Sequence, residues 1–164
     1  MFAKIDRTIY SIEKALIGSG LLVSLFFVFI NVLYRDIFSS TFEWAEELVR
    51  YIIIWVALVG GSVCVRENAH VTMDVIFERL KIKIKRFTYI TICLVCCVAS
   101  LVLVFVGIKH SQQVYGSGQI SVALDIRIIW VYIAYPIGFL LMAKNFLHLF
   151  IINLKNPSQI TNKI

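Results

Sequence analysis

The sequence predicts an all-α integral membrane protein with four transmembrane helices and an amphipathic interfacial helix on the cytoplasmic side. Of the 164 residues, 60% are hydrophobic and only 16% are charged, whereas about 25% of the residues in a soluble domain are charged. The apolar residues form four blocks, and each can supply the roughly 20 helical residues that cross a bilayer core. Backbone groups in lipid must bond within their own segment, which favours helices.

The whole chain, residues 1–164, is predicted to be a single membrane domain. The first and third apolar blocks contain no charged residue, and the other two contain one each near an end, Arg50 and Lys144. The first block exceeds the usual h-region of about 7–15 residues and no small-x-small cleavage site follows it, so we expect a retained span. Residues 1–14 are expected to be an interfacial lead-in. The predicted spans are residues 15–34, 48–65, 88–108 and 128–150.

The distribution of basic residues predicts the orientation of the chain. With the N-terminus inside, twelve of the 16 Lys and Arg residues lie in cytoplasmic segments and four lie in outer segments. This is the positive-inside pattern, so both termini are expected in the cytoplasm. The net charge of +6 is therefore assigned to anionic lipid headgroups rather than to nucleic acid.

The second helix opens with an acidic turn, before the span itself, and this turn suits the positive end of a helix dipole. Glu46 and Arg50 are spaced i, i+4, which favours an ion pair. Further along this span, Trp55 at mid-depth requires a partner or a protein surface around it. A stripe of small residues permits close approach of another helix, and it consists of Ala57, Gly60, Gly61 and Cys64.

Residues 72–86 are predicted to form the interfacial helix. Apolar residues recur at helical spacing from Met73 to Phe87, and charged residues recur on another side. The alternation from Lys81 to Lys85 leaves a strand as the rival, but no second strand is visible to pair with it. The cationic end of such a helix suits lipid headgroups, and the residues assigned to them are Arg79, Lys81, Lys83, Lys85 and Arg86.

The third span is followed by a short polar outer loop, and Pro136 predicts a kink in the fourth span. No cofactor, metal site or enzymatic activity is predicted. All four cysteines lie within spans without a second ligand pair for zinc. The three histidines do not offer two haem ligands at one depth inside the bilayer. No Asp or Glu lies within a predicted span, which argues against an autonomous proton-coupled transporter.

An ordered series of residues resembles the small membrane subunit of tripartite ATP-independent periplasmic (TRAP) transporters. It begins at Arg35-Asp36, continues through Trp44-Ala45-Glu46-Glu47-Leu48-x-Arg50-Tyr51, and extends to Asp74. The resemblance covers most of the chain and includes Trp130-x-Tyr132 and Pro136-x-Gly138. The remaining positions that carry it are Trp55, Gly60, Arg66-Glu67 and His70-Val71.

The resemblance implies a location and a role. In such systems, in the bacterial inner membrane, a periplasmic binding protein captures an organic acid such as sialic acid or a C4-dicarboxylate. A large membrane subunit then moves the acid inward with a sodium gradient. The small subunit is a non-catalytic scaffold that forms a stable heterodimer with the large subunit and helps to dock the binding protein.

Residue roles follow from the same resemblance. Trp44, Glu46, Glu47 and Arg50 are expected to order the outer entry to the second helix, or to be a solvated boundary only. Arg35 and Asp36 are expected to face the binding protein. Trp55, Gly60 and Gly61 are expected to pack against a helix, and Arg66, His70 and Asp74 to hold the interfacial helix. The alternatives are an autonomous small four-helix transporter and an accessory subunit of another membrane complex.

Overall fold

The computed structural model describes residues 2–67 and 82–155, with the side chains of residues 8–67, 84 and 87–154. Five α-helices lie in these two ranges, and the fourth and fifth together form one span. The helices are α1 (Phe2–Phe38), α2 (Glu43–Arg66), α3 (Ile82–Ser117), α4 (Ile129–Tyr132) and α5 (Ala134–Lys155).

Four helical segments are long and apolar enough to cross a membrane, which confirms the predicted fold class. They are Thr8–Phe38, Glu43–Arg66, Phe87–Ser117 and Ile129–Leu154. The described segments contain no strand, and their β-pairing is an isolated bridge between Ile120 and Arg127 in the outer loop.

Two helices begin earlier than the spans predicted from the sequence. Helix α1 starts at Phe2, so residues 2–14 continue the first helix instead of forming a separate lead-in. Helix α3 starts at Ile82, so residues 82–86 of the predicted interfacial helix run directly into the third span. Neither stretch contains a Gly or Pro that would end a helix. Residues 72–81 of the predicted interfacial helix lie outside the described residues.

The four long helices lie in a row rather than in a closed bundle. Helix α1 packs on α2, α2 packs on α5, and α5 packs on α3. The edge position of α1 shows in its burial, because 11% of its span is buried, against 33% for the inner helix α2. The row therefore presents two broad apolar faces and two exposed edges.

Close approach at two crossings depends on glycine. A Cβ atom on Gly138 would lie 2.6 Å from Leu58 Cβ and 3.2 Å from the Leu58 carbonyl carbon, so α5 touches the backbone of α2 there. A Cβ on Gly107 would lie 3.2 Å from the Pro136 nitrogen, where α3 meets α5. Small residues at membrane helix crossings let backbones approach and increase van der Waals contact.

The fourth span lacks one regular helical hydrogen bond at Pro136, where the sequence predicted a kink. Proline has no N–H to donate to the carbonyl of Tyr132, four residues earlier. Helices α4 and α5 meet at Ile133, which keeps right-handed helical dihedral angles, and Ser111 Oγ on α3 donates a hydrogen bond to the Tyr132 carbonyl oxygen at 3.0 Å. The carbonyl freed by the proline is thus satisfied by a neighbouring helix, as lipid requires.

Candidate functional site

Asn31 joins α1 to the first turn of α2 at the predicted outer end. Its Oδ1 accepts the Phe42 N–H at 2.9 Å, and its Nδ2 donates to Glu46 Oε1 at 3.2 Å. Phe42, the N-cap residue of α2, makes no side-chain capping bond itself, so Asn31 supplies an acceptor for an N–H at this helix end. The expected Glu46–Arg50 ion pair does not form between these two described residues, and Arg50 is exposed.

Aromatic side chains pack around the same turn. The Tyr34 ring stacks on Phe42 with centroids 4.0 Å apart and on Phe38 at 4.7 Å. Trp44 meets Phe27 edge to face at 5.8 Å and remains 42% exposed. Such pairs stabilise by about 0.5–1.5 kcal/mol beyond burial, and Trp and Tyr are enriched at the membrane interface. The aromatic side chains therefore stiffen the α1–α2 connection.

Glu47 holds the loop of residues 118–128, predicted to be the second outer loop, against α2. Its Oε2 accepts the Ala123 N–H at 3.1 Å, and its Oε1 accepts the Tyr51 hydroxyl. The loop is closed by a hydrogen bond from the Ser121 N–H to the Ile126 carbonyl at 2.8 Å. Glu47 thus connects two outer segments that are far apart in the sequence.

Arg35 and Asp36 form an exposed pair near the C-terminal end of α1. Arg35 Nε lies 3.8 Å from Asp36 Oδ1, and the two side chains are 61% and 68% exposed. Arg35 also lines an open groove of about 230 Å³ between α1 and α2, together with Asn31, Glu46 and apolar residues of both helices. These two charges remain accessible to the solvent or to a partner.

The mid-membrane candidates on α2 differ in their surroundings. Trp55 is half-buried. A Cβ on Gly61 would collide with the flexible end of Met142 on α5, whereas one on Gly60 would lie 3.9 Å from Ile17 Cδ1 on α1. The other small residues of the predicted stripe, Ala57 and Cys64, are exposed. The stripe therefore meets neighbouring helices only at its glycines.

A charged cluster ties α1 to the other end of α2. Lys14 Nζ lies 2.7 Å from Glu67 Oε1, Tyr10 donates its hydroxyl to the same oxygen, and the Arg66 guanidinium lies 4.5 Å from the Tyr10 ring centroid. Hydrogen bonds to the Glu67 carboxyl lower its pKa, and the bond from the Lys14 ammonium contributes more than the bond from the Tyr10 hydroxyl. Of the remaining predicted residues, His70, Asp74, Arg79 and Lys81 lie outside the described residues, as do the side chains of Lys83, Lys85 and Arg86.

The sequence reasoning missed a buried polar cluster of Glu13, Ser62 and Asn145, which joins α1, α2 and α5. Ser62 Oγ lies 3.2 Å from Glu13 Oε1, and Asn145 Nδ2 lies 2.9 Å from Ser62 Oγ. Glu13 belongs to the helical segment Thr8–Phe38, which begins before the span of residues 15–34 predicted from the sequence. The signal was the spacing of 4, 3, 4, 3 and 4 residues along Glu13, Ile17, Gly20, Ser24, Phe27 and Asn31, the heptad-like pattern of a helix-contacting seam.

The described residues contain no group of three or more His, Cys, Asp or Glu side chains placed to hold a metal ion. Asn31, Ser62, Ser111 and Asn145 instead bond to side chains or backbone groups of a neighbouring helix or its cap. Together the four apolar helical segments and their packing in a row define a multi-pass membrane protein.

Residues 24–155 match the family model described as "Tripartite ATP-independent periplasmic transporters, DctQ component", and the chain belongs to this family. The protein is therefore a small permease component of a TRAP transporter and a multi-pass protein of the inner membrane. The resemblance predicted from the Arg35–Asp74 series is confirmed.

Individual relatives agree with the family. The chain is 29% identical over 140 residues to the sialic acid TRAP transporter permease protein SiaT of Haemophilus influenzae, covering 85% of this chain and 22% of that protein. It is 26% identical over 150 residues to the ectoine TRAP transporter small permease protein TeaB of Halomonas elongata, covering 92% and 78%. It is 27% identical over 106 residues to the C4-dicarboxylate TRAP transporter small permease protein DctQ of Vibrio cholerae, covering 65% and 45%.

The matched lengths differ between relatives. The chain spans 22% of SiaT and 22% of the isethionate TRAP transporter permease protein DctMQ of Oleidesulfovibrio alaskensis. It spans 78% of TeaB. The similarity to the two longer permeases thus covers about a fifth of each.

Proposed function

We propose that this chain braces a large TRAP transport subunit in a stable heterodimer and helps to dock a periplasmic binding protein during sodium-driven uptake of an organic acid. The family match carries the proposal, and the open row of helices supports it. Its own role in this assembly is non-catalytic.

The row explains why a scaffold is favoured over an autonomous transporter. A pathway requires walls on all sides, whereas α1 and α3 lie at opposite edges of the row. Apolar side chains cover these edge helices, and Leu22 is 70% exposed and Phe105 62% exposed. A second membrane protein packed on this surface would supply the missing walls.

The relatives support both the partner and the substrate class. In SiaT and DctMQ, the part similar to this chain is about a fifth of a longer permease protein, which favours close association with a large subunit. The named relatives include transporters of sialic acid and of C4-dicarboxylates. We propose an organic acid of one of these two kinds.

The outer end is the proposed docking surface for the binding protein. The exposed Arg35 and Asp36 offer one charge of each sign there. Trp44, Glu46, Glu47 and Arg50 lie in the first two turns of α2, and the first three hold this end in shape through the Phe27, Asn31 and Ala123 contacts.

The inner boundary completes the proposed arrangement. Arg66, His70 and Asp74 hold the segment of residues 72–86. Its basic residues Arg79, Lys81, Lys83, Lys85 and Arg86 contact lipid headgroups, and both termini lie in the cytoplasm. A reporter active on only one side of the membrane, fused to either terminus, tests this orientation; activity from the periplasm would contradict it.

Co-purification is the first experiment. The tagged chain, expressed with a candidate large permease and purified in detergent, is expected to retain that permease in a one-to-one complex. The reconstituted complex with binding protein should take up the acid when a sodium gradient is imposed, and not when potassium replaces sodium. A chain that purifies alone or as a homodimer would contradict the scaffold function and favour the autonomous transporter. Co-purification with another complex would favour the accessory subunit.

Docking has a separate test. The double variant Arg35→Ala/Asp36→Ala is expected to lower uptake by raising the binding-protein concentration needed for half-maximal rate, with assembly unchanged. His148→Ala is the matched control, since His148 is exposed near the other end of the row. If both variants raised this concentration equally, or if neither variant changed it, the docking surface would not include Arg35 and Asp36.

A further inference from the structure

The cluster of Glu13, Ser62 and Asn145 is buried where three helices meet. The residues are 5%, 0% and 7% exposed, respectively. Glu13 lies within the helical segment Thr8–Phe38, which is long and apolar enough to cross a membrane. Ionisable side chains inside membrane spans are rare and usually functional.

The hydrogen bonds of the cluster have a defined direction. An amide nitrogen can only donate, so Asn145 Nδ2 donates to Ser62 Oγ at 2.9 Å and to the Ser62 carbonyl at 2.9 Å. The Ser62 hydroxyl proton is therefore free to point to Glu13 Oε1, at 3.2 Å. Oε1 is an acceptor in this arrangement.

The second oxygen of Glu13 has no partner. Oε2 is buried and makes no hydrogen bond. An ionised carboxylate offers about four lone-pair sites, and one hydroxyl group satisfies only one of them. Burial of an isolated carboxylate is far more costly than burial of a neutral polar group, and such groups usually become neutral.

The neighbouring charged groups do not supply the missing positive charge. On α1, Lys14 pairs with Glu67 and Tyr10 donates to the same carboxylate. On α2, Arg66 lies over the Tyr10 ring. On α5, Lys144 adjoins Asn145 in sequence. The ion pairs recorded among the described residues do not include Glu13.

We propose that Glu13 is a proton-binding site, with the proton on Oε2 and the carbonyl oxygen Oε1 accepting from Ser62. The site holds a neutral carboxylic acid between α1, α2 and α5. Loss of the proton leaves an ionised carboxylate among these helices and favours their separation. Proton binding therefore stabilises the packing of the edge helix α1 on the rest of the row.

The sign of the pH dependence follows from proton linkage. If the folded chain binds one proton more than the unfolded chain, its stability falls as the pH rises. In Glu13→Gln the side chain is neutral at every pH and keeps an oxygen that accepts from Ser62. This variant is expected to retain the fold, and its stability is not expected to fall as the pH rises.

The test uses the full chain purified in detergent. Its thermal midpoint is followed from mildly acidic to mildly alkaline pH for the native chain, for Glu13→Gln and for Glu43→Gln. The last variant makes the same change at an exposed residue. We expect the midpoint of the native chain and of Glu43→Gln to fall as the pH rises, and the slope to be lost in Glu13→Gln. Equal slopes in all three proteins would overturn the proposal.

Infrared spectroscopy supplies a second readout that does not depend on unfolding. The difference spectrum between the native chain and Glu13→Gln at neutral pH should show loss of the carbonyl band of a protonated carboxylic acid. Loss of ionised-carboxylate bands instead would overturn the proposal. Neither measurement requires the large subunit, so this inference and the proposed function can fail independently.

Discussion

At the residue scale, polar side chains in the row bond to backbone groups that the fold would otherwise leave unpaired. Asn31 accepts the Phe42 N–H, Glu47 accepts the Ala123 N–H, and Ser111 donates to the Tyr132 carbonyl. A buried backbone group without a partner costs free energy comparable to a lost hydrogen bond. These residues thus explain how irregular turns occur at the ends of apolar helices.

Glu47→Ala should release the loop of residues 118–128 from α2. Loss of the Ala123 and Tyr51 bonds is expected to lower the stability of the chain, measured by unfolding in detergent, and to speed amide exchange of Ala123. Glu47→Gln keeps an acceptor oxygen and should have a smaller effect. Glu43→Ala, at an exposed site, is the control, and an effect as large as that of Glu47→Ala would contradict this assignment.

At the element scale, the helices pair through small residues and through the seam of α1. The seam residues Glu13, Gly20, Phe27 and Asn31 contact α2, through Ser62, Val56, Trp44 and Glu46 respectively. The α2–α5 pair is closest at Gly138, where a side chain would meet the Leu58 backbone. Helix pairs in lipid associate by such packing and by interhelical hydrogen bonds, because lipid is as apolar as the helix surfaces.

Gly138→Ala should separate α2 and α5. The added Cβ would lie 2.6 Å from Leu58 Cβ, and overpacking of this kind costs about 1–3 kcal/mol. Gly18→Ala on α1 is the matched control, because nothing lies within 4 Å of its added Cβ and alanine is the better helix former. Thermal unfolding of the two variants checks this. Equal stability would show that α2 and α5 are not in backbone contact.

Ser111→Ala should leave the Tyr132 carbonyl without its donor and destabilise the chain by about 1–3 kcal/mol. In a Pro136→Ala background, the new N–H of residue 136 can bond to that carbonyl. In that background, Ser111→Ala should destabilise the chain less than it does in the native chain. A double-mutant cycle of unfolding free energies measures the difference. Additive effects would mean that Ser111 does not compensate for Pro136.

At the scale of the whole molecule, the open row buries little apolar surface of its own. Its described core includes Val65, Cys97 and Phe146 near one end of α2, α3 and α5. The faces and edges are covered by apolar side chains that suit lipid or a membrane partner. Stability in the membrane is therefore expected to depend on assembly, consistent with the function proposed.

Cysteine labelling tests the arrangement of the row. Cys64 is exposed, whereas Cys93 is fully buried against its neighbours. A membrane-permeant thiol reagent should modify Cys64 faster than Cys93 in the isolated chain, as judged by mass spectrometry of peptides. In the control variant Cys64→Ser, the fast reaction should be absent. Faster reaction of Cys93 would contradict the packing of α3 on α5.

The sequence alone determined the fold class, because hydropathy and segment length are the dominant constraints on a chain in a bilayer. It also identified the family through the series from Arg35 to Asp74, and it located the irregular hydrogen bonding at Pro136. These features are local, since each depends on residues a few positions apart.

Only the tertiary structure decided which helices pair and which polar groups meet. Lipid-facing and helix-facing side chains are equally apolar, so hydropathy cannot distinguish the faces of a span. Glu46 bonds to Asn31 rather than to Arg50, and Glu13 lies beside Ser62 and Asn145. These contacts join residues that are distant in the sequence, and they depend on how the shapes of three separate helices fit together.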